Sequence, residues 1–379
     1  MIIGINALYL LPGKVGGSET YLRNLAKGLA AIDRKNEYVV FINRESDGSI
    51  EVPAPNFRIV LCPFCAANRP LRILWEQGVL PRYVKRHNID ILLSAGMTAP
   101  VVCPRPSVVM LFDLQHINQP GNFPWYYLPF LKSIIYASAK SADGVLTISH
   151  QVKNDIVRSY HLPPDRIEVT HLAVNHAIFS LHGTPDMVTV KSRYGLPDRF
   201  ILYAASSLPH KNHERLLHAF RSVREQVPEM KLVLIGARDK GETALIRHIR
   251  ALGLEQAVLL LGWLPFEDVP SIYRASEAFV FPTLHEGFGL PIIEAMACGV
   301  PVVCSNREPL LEVAGDAALF VDPLSPAEIA KAVISVVTDM PIRQHLISKG
   351  LVRSSAFTWE ATAKKTLAFL TTIAAEKRG

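Results

Sequence analysis

Two carboxylates stand at a fixed spacing in the stretch HEGFGLPIIEAMACGVPVVCS, residues 285–305. They belong to Glu286 and Glu294. A carboxylate can accept two hydrogen bonds from neighbouring hydroxyl groups, so each is a candidate clamp for a ribose diol or a hexose. The alternative is structural, with Glu294 complementing a helix dipole and Glu286 solvated. The order of the surrounding residues favours the clamp.

The same stretch predicts a short helix, residues 291–298, whose first turn contains the second glutamate. Pro291 suits the first helical position, and Gly299 suits the residue that ends the helix. Gly287 and Gly289 allow a tight turn and a close approach of the backbone to a ligand. The N–H groups at the helix start then point outward, where phosphate or hydroxyl oxygens can accept from them.

A cation for such a ligand is offered by Lys211, in PHKNHERLL directly after the apolar run RFILYAAS. If that run is a strand, Lys211 lies at its carboxyl end, where its ammonium can stabilise a departing diphosphate. The alternative is a solvated helix start, because Asn212 and the adjacent histidines are typical of a helix cap.

Two further groups of residues near strand ends are candidates. The loop 13–17, GKVGG, precedes a predicted helix that starts at 18–20 with Ser18 as its N-cap, and Gly16 and Gly17 allow close approach to a ligand. The run SVVMLFD ends at Asp113, with His116 three residues later. Both side chains are candidates for orienting a reacting hydroxyl, and the alternative is a helix cap and a loop residue.

The elements that must position these residues are short apolar runs alternating with helical patterns. Eleven such runs, among them IIGIN, SVVMLFD, KLVLIGA and VPVVCS, are rich in Val, Ile and Leu, which is typical of parallel strands covered on both faces. The segment 180–199 interrupts the pattern with Gly, Pro and charges. We therefore predict an α/β protein with two doubly wound domains, 1–185 and 186–360, facing each other across a cleft at the carboxyl ends of the strands.

Composition narrows the function classes. The chain has 379 residues, 49% of them hydrophobic, and a formal charge of +6. This fits a two-domain globular protein with phosphorylated ligands, and no basic module for nucleic acid is visible. No run reaches the length of a membrane span, and the N-terminus lacks the features of a signal peptide, so we expect a cytoplasmic protein. The pair Cys62 and Cys65 lacks further ligands at zinc spacing.

The segment from Gly262 to Pro323 resembles the C-terminal signature of the retaining glycosyltransferases of family 4, whose mark Glu-x7-Glu corresponds to Glu286 and Glu294. The likeness extends through PHKNHERLLHAF and GGSETYLRNLAKGL. It implies the two-domain GT-B fold and a nucleotide-sugar donor. By this resemblance Glu294 would bind the ribose, Glu286 the transferred sugar and Lys211 the diphosphate.

The resemblance also assigns donor-binding roles to backbone and loop positions. The backbone N–H groups of Phe288, Gly289 and Leu290 would contact the sugar and the diphosphate. The nucleobase would lie beside Gly262, Trp263 and Leu264. The loop that contains Gly16 and Gly17 would close over the diphosphate.

The sequence departs from the family pattern at two places. A histidine usually precedes the aspartate matched by Asp113, and this chain has Phe112 there. Many members carry an arginine upstream of the lysine, where this chain has Ser206, Ser207 and Leu208. The family implies a front-face transfer with retention, and because no Asp-x-Asp triplet is present we expect no metal and no cofactor. UDP-glucose, UDP-galactose and GDP-mannose remain open as donors.

Three further expectations concern partners and domain organisation. The acceptor would be a glycan or a lipid-linked oligosaccharide, and a non-catalytic nucleotide-sugar-binding regulator is the alternative function. The segment 361–379 would be a helix that crosses back to the N-terminal domain. The stretch 68–88 is either a face that docks on anionic membranes or an ordinary amphipathic helix packed on the sheet. Its cations are Arg69, Arg72, Arg82, Lys85 and Arg86.

Overall fold

The computed structural model describes residues 1–13, 16–50, 54–183, 185–237 and 241–377. The chain divides into two compact units. Unit 1 comprises Met1–Leu172 and the chain from Trp359 onward, and unit 2 comprises Ala173–Thr358. The chain thus leaves unit 1 before residue 185, where the sequence placed the boundary.

Unit 1 is built on a seven-stranded parallel sheet with the order β3-β2-β1-β4-β5-β6-β7. The strands are β1 Ile2–Asn6, β2 Glu37–Ile42, β3 Phe57–Leu61, β4 Ile91–Ser94, β5 Ser107–Leu111, β6 Gly144–Thr147 and β7 Ile167–Val169. The helices are α1 Gly17–Ile32, α2 Arg69–Gly78, α3 Leu80–Arg86, α4 Gln115–Asn118, α5 Leu128–Ser141, α6 His150–Tyr160 and α15 Trp359–Glu376.

Unit 2 contains a six-stranded parallel sheet with the order β10-β9-β8-β11-β12-β13. Its strands are β8 Phe200–Ala204, β9 Lys231–Ile235, β10 Val258–Gly262, β11 Ala278–Phe281, β12 Val302–Ser305 and β13 Ala318–Val321. Its helices are α7 Met187–Tyr194, α8 His213–Gln226, α9 Glu242–Ala251, α10 Val269–Ala275, α11 Leu290–Ala297, α12 Leu310–Ala314, α13 Pro326–Thr338 and α14 Met340–Ser355.

The predicted α/β fold with doubly wound parallel sheets is confirmed, and the burial of the strands explains why apolar runs in the sequence predicted them. Every residue of β5, β6 and β12 is buried, so these strands appear in the sequence as continuous apolar runs. Strands β3 and β13 were not among the predicted runs. Both strands lie at sheet edges, where β3 exposes Arg58 and the two central residues of β13 are only partly buried, so neither is fully covered as β5, β6 and β12 are.

The C-terminal helix α15 packs on α1 within unit 1. The approach is close at Gly28, where an added Cβ would come within 2.6 Å of the Trp359 carbonyl oxygen. Only glycine permits this distance. Among the described residues, no helix is both long enough and apolar enough to cross a membrane.

Candidate active site

Unit 2 brings the two predicted ionic residues together at the point where its strand order reverses. Strand β8 pairs with β9 on one side and with β11 on the other, and crevices at such points bind ligands beyond the carboxyl strand ends. Lys211 follows β8 and Glu286 follows β11. The Lys211 Nζ lies 2.7 Å from Glu286 Oε1, and the two side chains are only 17% and 13% exposed. The sheet topology thus makes a mostly buried ion pair.

The turn that carries Lys211 is fixed by hydrogen bonds to neighbouring loops. Residues Pro209–Lys211 form a 3₁₀ turn, and the Tyr203 hydroxyl donates to the Lys211 carbonyl oxygen. The Asn212 side-chain amide donates to the Pro282 carbonyl at 2.8 Å and to the Pro323 carbonyl at 2.7 Å. Asn212 is the N-cap residue of α8, but its side chain links neighbouring loops and makes no cap hydrogen bond to the helix.

The imidazoles beside Lys211 add no charge at neutral pH. Burial, reinforced by the Lys211 ammonium, lowers the pKa of both His210 and His213 to about 4. Both rings are therefore neutral, and the electrostatics of this turn are dominated by the ammonium and the Glu286 carboxylate. A ligand with a diphosphate would meet a cation whose counter-ion is a single carboxylate.

Helix α11 begins one residue earlier than predicted, at Leu290, with Gly289 as its N-cap. Gly289 has φ +97°, and an added Cβ would meet Leu310 Cδ2 at 2.5 Å. Glu294 is therefore the fifth helical residue. The prediction that it lies in the first turn is wrong, because a helix turns every 3.6 residues and the first turn ends before Glu294.

Glu294 instead meets a tyrosine of the preceding helix. The Tyr273 hydroxyl lies 3.3 Å from Glu294 Oε2 and donates to it, and burial raises the pKa of the Glu294 carboxyl to about 7. Sequence analysis did not single out Tyr273, since it lies in α10 and no local motif marks it. The side chain of Glu294 is a hydrogen-bond acceptor in a poorly solvated position, which suits hydroxyl donors.

The remaining predicted donor-binding residues of unit 2 divide into core and surface. Phe288 is buried with its ring edge-on to Phe357 at 5.8 Å, so it anchors the turn that contains Gly287 and Gly289. After β10, Leu264 is buried and Trp263 is 73% exposed. The exposed indole is available for stacking on a planar group.

A small cavity of about 30 Å³ lies at the carboxyl ends of β8, β9 and β10. Its lining includes Ser207, His213, Gly236 and Gly262. Gly236 has φ +134°, and an added Cβ would come within 2.3 Å of the Ala205 carbonyl oxygen. Gly236 was not among the predicted site residues, and His213 had been considered only as part of a helix cap. The signal that could have found Gly236 is its position directly after the run KLVLI.

The glycine loop of unit 1 differs from its predicted form. Gly16 is the N-cap of α1 with φ +58°, and Gly17 is the first helical residue. The prediction that Ser18 is the N-cap is wrong, because the left-handed backbone of Gly16 starts the helix earlier. Lys14 and Val15 of the predicted loop lie outside the described residues.

Asp113 and His116 are placed by local and core contacts. Asp113 Oδ1 accepts from the Gln115 backbone N–H at 3.0 Å. His116 is buried, its Nε2 lies 2.7 Å from the Tyr160 hydroxyl, and burial lowers its pKa to about 4. Phe112, which stands where the family histidine was expected, lies edge-on to Tyr21 at 5.2 Å. The burial of His116 and the ring contact of Phe112 favour structural roles for both.

The cysteines behave as small apolar residues or loop positions. Cys298 and Cys304 are buried, as predicted, and burial raises the pKa of both thiols. Cys62 and Cys65 are unbridged in the loop between β3 and α2.

Two sequence families match the chain, one in each half. "Glycosyltransferase Family 4" matches residues 15–178, and "Glycosyl transferases group 1" matches residues 190–352. The O-antigen chain mannosyltransferase B of Escherichia coli is 32% identical over 263 residues, which is 69% of each chain. The serotype-specific mannosyltransferase WbdA of the same species is 28% identical over 266 residues, and the chain spans about a third of its length.

The fold is shared with solved structures. A sucrose-phosphate synthase from Thermosynechococcus elongatus superposes with a TM-score of 0.77 at 19% identity, covering 99% of this chain and 100% of the other. At this identity the likeness concerns the fold.

Proposed function

The chain belongs to the family 4 glycosyltransferases of the GT-B fold, and we propose that it is a retaining mannosyltransferase that builds a polysaccharide. It would transfer mannose from a nucleoside-diphosphate donor, with GDP-mannose first among the three donors named above, to a hydroxyl of a glycan. The observation that carries the proposal is the contact of Lys211 with Glu286 at the switch point of the donor-side sheet. The names of the relatives support mannose as the sugar.

In this proposal each group acts at one part of the donor. The Lys211 ammonium leaves its carboxylate partner for the diphosphate, and Glu286 then accepts hydrogen bonds from hydroxyls of the hexose. Glu294 accepts from the ribose diol, and the nucleobase stacks on the exposed indole of Trp263. The backbone N–H groups at the start of α11 add positive potential near the phosphates.

The chemical step we propose is a transfer on the front face of the sugar. The bond between C1 and the phosphate oxygen breaks, the acceptor oxygen bonds to C1 on the same face, and its proton passes to the departing phosphate oxygen. The protein contributes orientation and fixed charges.

We propose that no metal is needed, because Lys211 and the backbone amides would face the diphosphate. Purified protein treated with a chelator should retain its activity, and loss restored by Mg²⁺ would refute this part.

Donor turnover tests the proposal directly. Purified protein is incubated with GDP-mannose, UDP-glucose or UDP-galactose, with and without a mannoside acceptor, and the released nucleoside diphosphate is measured. We expect release from GDP-mannose that increases with acceptor, and slow hydrolysis without it. Tight binding of a donor with no release under either condition would identify a non-catalytic regulator.

We also propose that unit 1 docks on the anionic inner face of the cytoplasmic membrane, where a lipid-linked acceptor would be presented. Arg82, Lys85 and Arg86 are exposed on α3, and Leu74 on α2 is 70% exposed. The same segment also packs on the sheet as an amphipathic helix would, since Trp75 stacks on Phe64 at 5.0 Å and packs on the core of unit 1. Exposed cations beside exposed apolar side chains suit an anionic surface.

Vesicle co-sedimentation tests this docking. We expect the protein to sediment with vesicles containing phosphatidylglycerol and to lose this behaviour when Arg82, Lys85 and Arg86 are changed to Gln. A control variant neutralises three other exposed cations of unit 1, Arg34, Lys35 and Arg105. Equal binding by both variants, or no binding by the unaltered protein, would refute the docking.

A further inference from the structure

The sheet of unit 1 has a switch point of its own, and a polar cluster fills it. Strand β1 pairs with β2 on one side and with β4 on the other. Asn6 and Ser94 are the last residues of β1 and β4, and Asn6 Nδ2 donates to Ser94 Oγ at 3.2 Å. The rule that places the donor residues of unit 2 at its strand reversal therefore marks this position as a ligand crevice as well.

A buried carboxylate from α2 completes the cluster. Glu76 is 1% exposed and accepts hydrogen bonds from Asn6 Nδ2 at 3.3 Å and from Thr98 Oγ1 at 3.1 Å. Burial raises the pKa of its carboxyl, although these donors and the nearby Arg72 oppose the rise. A buried carboxylate is costly and is kept in a core when it holds other groups in place.

The group that Glu76 holds is the guanidinium of Arg72, one helical turn earlier. Arg72 Nη1 lies 3.9 Å from Glu76 Oε2, within ion-pair range but beyond a hydrogen bond. This nitrogen is buried and has no hydrogen-bond partner among the described residues. An unmade hydrogen bond of a buried charged donor is costly, so an oxygen supplied by a ligand is the expected partner. The side chain as a whole is 13% exposed, so Arg72 lies next to solvent.

Tyr9 lies at the same strand ends, after β1 and against the residues that follow β4. Its hydroxyl donates to the Ser18 carbonyl oxygen at 2.8 Å, at the start of α1. Its ring lies on Gly96, where an added Cβ would come within 2.2 Å of the Tyr9 Cδ1 atom. The crevice thus has an aromatic neighbour and a cation beside the strand ends.

We propose that Arg72 binds a hydroxyl oxygen of the acceptor sugar through Nη1, and that Glu76 is the positioning residue that orients Arg72. This inference rests on the proposed function, because it assigns the acceptor half of that reaction to these residues. The ligand is a neutral sugar, because hydrogen bonds from Asn6 and Thr98 keep the buried Glu76 carboxylate beside the guanidinium, where it would repel a phosphate. The aromatic ring of Tyr9 suits the apolar face of a hexose.

Binding of octyl glycosides tests the assignment without turnover. Calorimetry with octyl α-mannobioside, octyl β-glucoside and octyl phosphate is carried out on the unaltered protein and on four variants: Arg72→Gln, Arg72→Lys, Glu76→Gln and Arg105→Gln. Arg105 is exposed at the opposite, amino-terminal edge of the sheet and serves as the charge-matched control. GDP affinity and thermal unfolding are measured in parallel.

We expect a mannobioside to bind, its affinity to fall about tenfold or more in R72Q and E76Q, and R72K to be intermediate because it keeps the charge but loses the fork. GDP affinity should stay unchanged in all variants, and R105Q should match the unaltered protein. Unchanged glycoside affinity in R72Q, absence of glycoside binding, or preference for octyl phosphate would overturn the assignment. Glycoside binding that depends on Arg72 in a protein that releases no nucleotide would instead refute the proposed function alone.

Discussion

At the residue scale, the contact between Lys211 and Glu286 dominates the candidate site. A buried charge is destabilising when it loses its partner. A ligand that pairs with the Lys211 ammonium must therefore also give the Glu286 carboxylate new hydrogen-bond donors. A donor does so when its diphosphate pairs with Lys211 and its hexose hydroxyls donate to Glu286. The pair would thus keep the two charges matched with and without a donor.

The first prediction concerns these two residues. Lys211→Ala and Glu286→Ala should each lower kcat/KM by about 100-fold or more, since each removes a charge aimed at the transition state. Steady-state turnover with GDP-mannose measures this, and circular dichroism verifies folding. Lys349→Ala is the control, because Lys349 makes an exposed ion pair with Asp316 in the same unit. Near-normal turnover in both site variants would remove the assignment.

The second prediction concerns pH and Glu294. Its pKa of about 7 lies above the ordinary value of a glutamate, so the carboxyl is largely protonated below pH 7 and ionised above it. Only the ionised form accepts both hydrogen bonds of a ribose diol. GDP affinity should therefore rise with pH through about 7, by up to about tenfold per unit on the acid side.

Calorimetry between pH about 6 and about 8.5 measures this dependence. A dideoxy-ribose GDP analogue lacks the diol and should bind weakly with a flat profile, and Glu294→Gln should flatten the profile for GDP. A GDP affinity that falls over this range, or the same profile in the Gln variant, would contradict the role of Glu294.

At the scale of elements, the start of α11 sets the geometry of the residues proposed to bind the donor. Gly289 has a positive φ, and an added Cβ would clash with Leu310. Each of these two facts excludes a side chain at this position. The turn before it is anchored by the buried ring of Phe288. The position of Glu286 and the direction of the first N–H groups of α11 both depend on this turn.

The third prediction follows for Gly289→Ala. Backbone strain and the clash with Leu310 should lower the free energy of unfolding by about 1–3 kcal/mol and weaken donor binding. Urea unfolding and GDP calorimetry measure the two effects. Gly195→Ala is the control, because Gly195 also has a positive φ but an added Cβ there meets no atom within 4 Å. It should cost about 1 kcal/mol and leave GDP affinity unchanged. Equal behaviour of the two variants would contradict the clash.

At the scale of the whole molecule, the chain forms two units with separate cores, and its last helix returns to the first. Helix α15 belongs to unit 1 although it follows unit 2 in the chain. Unit 1 is therefore completed only when the C-terminal segment packs on α1. The close contact at Gly28 is where this packing is most restrictive.

The fourth prediction concerns Gly28→Ala. Alanine favours a helix over glycine, but its methyl group would overlap the Trp359 carbonyl, and we expect crowding to win, with a loss of about 1–2 kcal/mol in unit 1. Hydrogen exchange should increase in β1 and α1 and stay unchanged in β11. Gly78→Ala is the control, because an added Cβ at Gly78 meets no atom within 4 Å. Faster exchange in both units, or in neither, would contradict the prediction.

The sequence by itself determined the fold class, and it singled out most of the residues proposed to bind the donor. Buried parallel strands require apolar runs, and a turn that approaches a ligand requires glycine. Both features can therefore be recognised from short segments of the sequence. The stretch around Glu286 and the position of Lys211 after a strand are of this kind.

Only the tertiary structure decided which distant residues meet. Lys211 and Glu286 are separated by 75 residues and come together because β8 and β11 are neighbours in the sheet. Tyr273 and Glu294 meet across helices, and Asn6 and Glu76 meet across 70 residues. Strand order and helix packing are set by the burial of whole elements, which no local spacing encodes, so these contacts could not be read from the sequence.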